Sequence, residues 1–254
     1  MNAVDGPRLF ARYALPPHTL GFCGPDEGSG FAEMAFSSSS SVAELRHLAT
    51  SFSGAWPYLQ LIAGCVGIDD PLDPRVVEAY WIGNTLLDKI DRSAFLGQID
   101  DRFRKRSWRD HELVVAAAVI GHPHHSFHVF CAYPWIGLLR AGKVEPALHV
   151  LDRCRIRWGT VTAIEGERVR VESQPLVWDE SMLALGEPVE EDVAASSDVD
   201  VATAMIVGDT VSLHWDFVCD RLAAPRLARL QREHAHHLAI VNRAAGPLGS
   251  RLTA

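Results

Sequence analysis

The chain has 254 residues and a formal net charge of −8 at pH 7. An acidic protein lacks the basic surface with which proteins bind nucleic acid, so we expect no nucleic-acid partner. Hydrophobic residues make up 48% of the chain and charged residues 22%, a balance typical of a globular protein with a sizeable core.

The sequence carries no signal for a membrane or for export. No apolar run approaches the roughly 18 residues of a transmembrane helix, and the first residues lack the charged and apolar regions of a secretory signal. The cysteines are widely spaced and form no C-x-x-C pair, which is not the pattern of a disulfide-stabilised protein. We therefore expect a cytoplasmic protein with reduced thiols and without a membrane span.

The first part of the chain, residues 1–152, is predicted to be a mainly helical domain. Residues 1–36 are expected to be irregular, with Pro16-Pro17 marking a turn. A serine cap followed by apolar spacing predicts the first helix, over about 42–52. Apolar spacing, caps and stop signals predict further helices over about 59–68, from Pro74 to Leu87, and over 110–120, 123–133, 134–141 and 144–152.

A small β module is predicted over 153–220, because apolar and polar residues begin to alternate there. A turn at 165–167 joins its first two strands, and 175–178 adds a third. Residues 187–200 hold six acids and no base, which indicates an acidic surface loop. A second hairpin is predicted between 202–207 and 210–215, joined by Gly208-Asp209.

The remaining residues, 221–254, are predicted to pack a C-terminal helix, opened by Pro225, on the rest of the protein. The predicted fold class is therefore α+β. An N-terminal domain of stacked antiparallel helices precedes a small antiparallel β barrel or sheet, and the C-terminal helix follows.

Histidines are concentrated in one segment, where His122, His124, His125 and His128 lie within seven residues and Cys131 follows. Imidazole and thiolate are the side chains that bind borderline transition metals. In a helix, His124, His128 and Cys131 lie on one face, and His125 is near His128. In a strand, Cys131 points away from both histidines. We expect His124, His125, His128 and Cys131 to bind the metal directly. His122 is expected to have a secondary role beside them.

A second interpretation of the histidine segment stays open. Phe127, Val129 and Phe130 indicate that the segment packs against a core, where histidines can simply be hydrogen-bonded. The segment also lacks the internal carboxylate of an H-E-x-x-H motif, so it contains no general base of its own.

Five other residues are candidates for the same chemistry. Cys23, between two glycines, is accessible and is the most suitable distant ligand. His214 and Asp216 share the polar face of a predicted strand, where they orient a ligand or form a surface pair. His234 and His237 are helical neighbours on the last helix, and His234 is in a core-facing position. The helix dipole near a C-terminus also favours histidines, so this pair has a structural explanation as well.

Four segments of the chain resemble a bacterial family of unknown function. They are ARYALPP at 11–17, GFCGP at 21–25, HHSFHVF at 124–130 and HWDFVCD at 214–220. The resemblance covers most of the chain and implies no known activity. We associate the genes of that family with those of nickel–iron hydrogenases, which implies a hydrogenase subunit or a maturation factor as a protein partner.

A second resemblance is local and covers 154–177. The segment CRIRWGTVTAIEG at 154–166 resembles the opening of the small β-barrel chaperones of the HypC type, which assist assembly of the iron centre in hydrogenases. In those chaperones the cysteine follows the initiator methionine, whereas Cys154 is internal. The resemblance therefore implies a small barrel, and we assign no metal role to Cys154.

Three functions are compatible with the sequence. The leading interpretation is an accessory protein, not an enzyme, that binds nickel, iron, zinc or a metal cofactor and assists metalloenzyme assembly. The second is a histidine-ligated metal enzyme, a hydrolase or oxygenase, which needs a carboxylate such as Asp216 or Glu112 beside the histidines. The third is a protein-interaction module without metal, in which the histidines only pack.

Overall fold

The computed structural model describes residues 4–22, 24, 42–133 and 135–245. The helices, in chain order, are α1 (Gly6–Thr19), α2 (Val42–Ser51), α3 (Trp56–Val66), α4 (Pro74–Trp81), α5 (Arg92–Phe103), α6 (Trp108–Ala118), α7 (His125–Phe130), α8 (Trp135–Arg140), α9 (Val144–Cys154), α10 (Val199–Ala204) and α11 (Ala224–Ala245). The strands are β1 (Arg157–Glu165), β2 (Arg168–Ser173), β3 (Leu176–Trp178), β4 (Leu183–Leu185), β5 (Val189–Ala194), β6 (Thr210–His214) and β7 (Phe217–Arg221). The predicted α+β class is confirmed.

The start of the chain is a helix, which corrects the prediction of an irregular segment over 1–36. The Asp5 side chain accepts a hydrogen bond of 2.9 Å from the Arg8 N–H and so caps α1. Pro16 and Pro17 lie in the last turn of the helix rather than in a separate turn. The helix forms because its inward face, which includes Phe10 and Tyr13, is buried against α4 and other helices.

Helices α1 to α7 enclose the main apolar core. Its largest members include Tyr58, Tyr80, Phe95 and Phe127, all fully buried. The same core continues into the β module through Ile156 and Cys219, and into the C-terminal part of the chain through Leu222 and Leu230. The predicted division into residues 1–152, 153–220 and 221–254 remains a prediction, and α9 extends to Cys154.

Five strands form a closed barrel in the order β1-β2-β5-β7-β6. Most neighbours are antiparallel, and β6 pairs back with β1, whereas β5 and β7 are parallel. Valines that alternate along the strands fill the interior. The hairpin predicted with its turn at 165–167 is confirmed by β1 and β2. The predicted third strand exists as β3, but it pairs with β4 outside the barrel.

The acidic segment 187–200 is not a loop, because it contains the strand β5 and the start of α10. Opposite charges explain the strand. Asp192 lies directly across from Arg170 of β2, and their side chains form an ion pair of 3.0 Å. Val193 points into the barrel. An acidic composition was therefore compatible with a strand that has a basic neighbour.

The predicted second hairpin is wrong in its first half. The expected strand over 202–207 overlaps α10, whose first turn is capped by Asp198. Strand β6 instead forms its hairpin with β7, through a tight turn at Trp215 and Asp216. The predicted C-terminal helix is confirmed as α11.

Helix α1 is joined to the barrel by buried ion pairs. Asp198 is fully buried and accepts hydrogen bonds from Arg8 (2.7 and 2.9 Å) and from Arg12 (2.7 Å). Burial alone would raise the pKa of Asp198, but the two guanidinium groups hold that pKa below its ordinary value. Tyr13 Oη also lies 2.9 Å from Ser212 Oγ on β6. These contacts fix the first helix against the barrel wall.

Two expectations from the sequence concern the environment. Among the helices that the structure describes, none is long and apolar enough to cross a membrane. The four described cysteines, Cys65, Cys131, Cys154 and Cys219, form no disulfide.

Candidate metal centre

A cavity of about 290 Å³ lies where the helical core meets the barrel. Its wall is mostly apolar and rich in aromatic side chains, which is typical of a ligand-binding cavity. Four side chains with potential metal-binding atoms, those of His125, His128, Cys154 and His214, also line it. The aromatic members of the wall include Phe22, Tyr80, Trp81, Tyr133, Trp135 and Trp215.

His214, the last residue of β6, presents an unpartnered nitrogen in this wall. Its Nδ1 lies 2.6 Å from the main-chain oxygen of Tyr13, and a carbonyl can only accept, so Nδ1 carries the proton. Burial lowers the pKa of His214 to about 4, so the ring is neutral at pH 7 and Nε2 is unprotonated. Nε2 is buried and has no hydrogen-bond partner within the described residues.

His125, the first residue of α7, has a partner at each ring nitrogen. Its Nε2 donates to the main-chain oxygen of Cys154 at 2.8 Å, and its Nδ1 lies 3.2 Å from Tyr80 Oη. Because Nε2 carries the proton, Nδ1 of the neutral ring is unprotonated and accepts from the Tyr80 hydroxyl, a donor that can rotate away. Burial, assisted by the nearby His214 and His128, lowers the pKa of His125 well below its ordinary value. The ring is therefore neutral and can offer a lone pair.

Cys154 brings a sulfur to the same place from the last residue of α9. Its Sγ and one ring nitrogen from each of His125 and His214 lie within 4.8 Å of one another. Two imidazoles and a thiolate form a ligand set for zinc and for other borderline transition metals.

The backbone at Trp215 is strained beside this group. Trp215 has φ of 53°, in the left-handed region that a bulky residue rarely adopts. Two hydrogen bonds hold it there, from its N–H to the Arg153 oxygen (2.8 Å) and from Arg157 to its own oxygen (2.6 Å). The indole stacks on Phe22 with ring centroids 3.9 Å apart. Such strain is maintained where a side chain must be held in one position, and here the position is the cavity wall.

The structure does not bring His124, His128 and Cys131 together as metal ligands. His124 precedes α7 with an extended backbone and acts as its cap, accepting from the Ser126 N–H at 3.0 Å. Burial lowers the pKa of His124 to about 4. Because α7 begins at His125 and not at 123, the predicted helical face does not exist in that form.

His128 and Cys131 make separate contacts. His128 lines the cavity, and its Nδ1 lies 3.4 Å from Tyr58 Oη. Burial, together with the charges of Arg102 and Arg106, lowers the pKa of His128 to about 3. The Cys131 thiol points instead to the His237 oxygen, at 3.9 Å, and burial raises its pKa.

The remaining predicted candidates have structural roles or lie elsewhere. His234 is buried as predicted, and its Nε2 accepts from Arg155 at 3.4 Å. Asp216 is about half exposed and pairs with Arg153 at 3.1 Å, so it does not share a site with His214. His122 and His237 belong to a second group of histidines, with His236. Cys23 lies outside the described residues.

Sequence reasoning found two of the three residues of this group but not their association. His125 was a candidate ligand and His214 a supporting residue, whereas Cys154 was given no metal role. The available signal for Cys154 was its place at the start of the barrel-like segment. Its proximity to His125 depends on the contact between α7 and α9, which local patterns do not reveal.

The chain matches the model of a family of unknown function, DUF6390, over residues 2–247. It therefore belongs to that family, and the expected membership in a family of unknown function is confirmed. Comparison with curated proteins found no match, and comparison with solved structures found none either.

Proposed function

We propose that this protein binds a transition metal ion through His125, His214 and Cys154. The observation that supports this proposal is the state of His214, whose Nδ1 is fixed by the Tyr13 carbonyl and whose buried Nε2 has no hydrogen-bond partner in the part of the chain that the structure describes. Histidines that bind metals usually donate their other ring N–H to a carbonyl or carboxylate. An orphaned buried nitrogen costs free energy, and a metal ion would remove that cost.

The protonation states favour binding at neutral pH. Metal ions bind neutral imidazole, and burial keeps the pKa of both His125 and His214 low. Binding also ionises a coordinating thiol. A mixed nitrogen and sulfur ligand set suits zinc, nickel or ferrous iron and disfavours magnesium or calcium.

We further propose an accessory role in metalloenzyme assembly rather than catalysis. A hydrolase or oxygenase at this site would need a converging carboxylate. Asp216 pairs with Arg153, Glu112 is exposed on α6, and no acidic side chain is among the described cavity residues. Three protein ligands leave a position open for exchange. The resemblances noted above make a nickel–iron hydrogenase subunit or maturation factor the partner to test, in the cytoplasm.

A protein-interaction module without metal, in which the histidines only pack, would account for some of the buried histidines. His234 and His237 are buried and individually hydrogen-bonded, as that alternative requires. His124 and His214 each have a buried Nε2 without a hydrogen-bond partner among the described residues. In His124 that nitrogen carries the proton, because Nδ1 accepts from the Ser126 N–H, whereas in His214 it is a lone pair that a metal ion can use.

Metal analysis tests the proposal. The purified protein is stripped, reloaded with nickel, iron or zinc in turn, dialysed and assayed for bound metal. His214→Ala and Cys154→Ser should each weaken the tightest site at least about 10-fold. His47→Ala, on the exposed face of α2, and Cys65→Ser, outside the cavity, are the matched controls and should bind as the wild type does. Equal binding by all variants, or none by the wild type, would overturn the proposal.

A further inference from the structure

A second group of histidines lies at a half-exposed edge, where the segment before α7 crosses α11. The side chain of His122 is 33% exposed, and His236 is half-buried. Their rings stack with centroids 4.8 Å apart and an angle of 21° between planes. His237 completes a group whose potential ligand atoms lie within 4.8 Å of one another.

Hydrogen bonds define the proton positions of the two outer histidines. His122 Nδ1 lies 2.8 Å from Glu233 Oε2, and an ionised carboxylate can only accept, so this nitrogen carries a proton. His236 Nε2 lies 2.7 Å from the Ile120 oxygen and carries a proton for the same reason. In the neutral rings, the unprotonated nitrogens are therefore Nε2 of His122 and Nδ1 of His236.

His237 has no such nitrogen to offer. Its Nε2 accepts from the His122 main-chain N–H at 3.1 Å, and its Nδ1 lies 2.7 Å from Ser126 Oγ. Burial lowers the pKa of His237 well below its ordinary value, so the ring is neutral, and its one lone pair accepts from a main-chain N–H that cannot rotate away as the Tyr80 hydroxyl at His125 can. His237 therefore supports the backbone of His122 instead of acting as a ligand.

The carboxylate behind His122 is buried. The Glu233 side chain is 2% exposed, and His122 is its ion-pair partner among the described residues. Burial alone would raise the pKa of Glu233, but the hydrogen bond from His122 and the neighbouring histidines hold that pKa below its ordinary value. A buried negative charge with only a titratable partner favours a cation nearby. A carboxylate–histidine–metal arrangement supplies one.

We propose that His122 and His236 form a second site for a divalent transition metal ion such as Ni²⁺, Zn²⁺ or Co²⁺. Each ligand histidine is oriented by an acceptor at its other nitrogen, the Glu233 carboxylate or the Ile120 carbonyl. Two protein ligands leave the other coordination positions to water at the protein surface. This site contains only nitrogen ligands, and it is independent of the thiolate site in the cavity.

Cobalt titration distinguishes the two sites. Cobalt bound to a thiolate gives a ligand-to-metal charge-transfer band, whereas cobalt bound only to histidine and water does not. Equilibrium dialysis of the stripped full chain counts the bound ions, and the spectrum assigns them. The wild type should bind one ion besides any ion in the cavity, and binding of this ion should not increase the absorbance of the charge-transfer band. His122→Ala combined with His236→Ala should lose that ion.

Further variants keep the test valid if the double variant unfolds. His236→Asn retains a side-chain donor for the Ile120 carbonyl but removes the second ligand, and Glu233→Gln removes the charge behind His122. Each should weaken this site at least about 10-fold, as orienting partners do, and His47→Ala should not. The inference is overturned if folded variants bind the same number of ions as the wild type with unchanged affinity. If the cobalt-loaded wild type binds an ion but shows no charge-transfer band, the cavity proposal is overturned and this one stands.

Discussion

The main-chain oxygen of Tyr13 lies 2.6 Å from Nδ1 of His214, so the first helix determines which nitrogen of a cavity histidine is unprotonated. Tyr13 also hydrogen-bonds through its hydroxyl to Ser212, two residues earlier on the same strand. The helix and the strand are thus held at two points, and the orientation of the His214 ring follows from the helix position.

Metal binding should stabilise the folded protein. An ion that binds only the native state adds RT ln(1 + [L]/Kd), which is about 2.7 kcal/mol at 100 times Kd. Thermal unfolding of stripped protein with and without zinc measures this increment. We expect a clear rise in Tm for the wild type and for Cys65→Ser, and a much smaller one for Cys154→Ser. A Tm that zinc does not change in the wild type would contradict the prediction.

Lowering the pH should destabilise the protein at pH values well above those at which carboxylates titrate. The pKa values of His124 and His214 are about 4 and that of His128 is about 3 in the folded state, against about 6.5 when unfolded. Between these limits the unfolded chain binds protons that the folded chain does not. Each such histidine therefore removes about 1.4 kcal/mol per pH unit as the pH falls below 6.5.

Urea unfolding at pH 7.5, 6.5 and 5.5 measures this loss. The free energy of unfolding should change little between the first two values and fall steeply between the last two. His128→Gln should reduce the slope of the free energy of unfolding against pH, because one proton fewer is taken up on unfolding. A free energy that is the same at pH 5.5 and 7.5 would refute the protonation states given above.

Removing the buried negative charge of Asp198 should strongly lower the free energy of unfolding. Asp198→Asn leaves the buried guanidinium of Arg12 with a poorer partner, and breaking a buried ion pair costs about 3–5 kcal/mol. Asp200, which is 73% exposed and also contacts Arg8, offers a matched control. Asp200→Asn should change the free energy of unfolding by less than about 1 kcal/mol. Chemical denaturation compares the two, and equal effects would contradict the buried network.

Two glycine-to-alanine substitutions should change the free energy of unfolding in opposite directions. A Cβ at Gly6 would lie 1.6 Å from the Leu72 oxygen, so Gly6→Ala must displace α1 from the segment before α4. A Cβ at Gly97, inside α5, would meet nothing within 4 Å. Gly97→Ala should stabilise the protein by about 0.5–1 kcal/mol because alanine is the better helix former. Gly6→Ala should destabilise it, and denaturation curves of both variants provide the check.

The sequence predicted those helices and strands whose caps, turns and apolar spacing lie within the element itself. Asp73 caps α4 with a hydrogen bond of 2.9 Å to the Arg75 N–H, and the sequence indicated that start. Helix α1 was missed because Pro16 and Pro17 are typical of turns, whereas here they lie in a last turn that tertiary packing maintains. Strand β5 was missed because its acids find partners on β2, which no local pattern shows.

The candidate site was only partly predictable for the same reason. The histidine density indicated the segment that contributes His125, but the association of His125, Cys154 and His214 arises from three elements that are distant in sequence. The tautomers of His214 and His125 depend on the main-chain oxygens of Tyr13 and Cys154, which lie on α1 and α9. Side-chain spacing within one helix therefore suggested a different set of ligands from the group that the structure brings together.

The bond from Tyr13 to His214 also bears on the order of events during synthesis. Helix α1 leaves the ribosome well before its partners Asp198, Ser212 and His214. Its apolar face can pack against α2 and α4 early, but Arg12 and the Tyr13 carbonyl must wait for their partners until most of residues 6–214 have emerged. A nascent chain would have no cavity to fill, so any ion would enter after translation has passed the barrel.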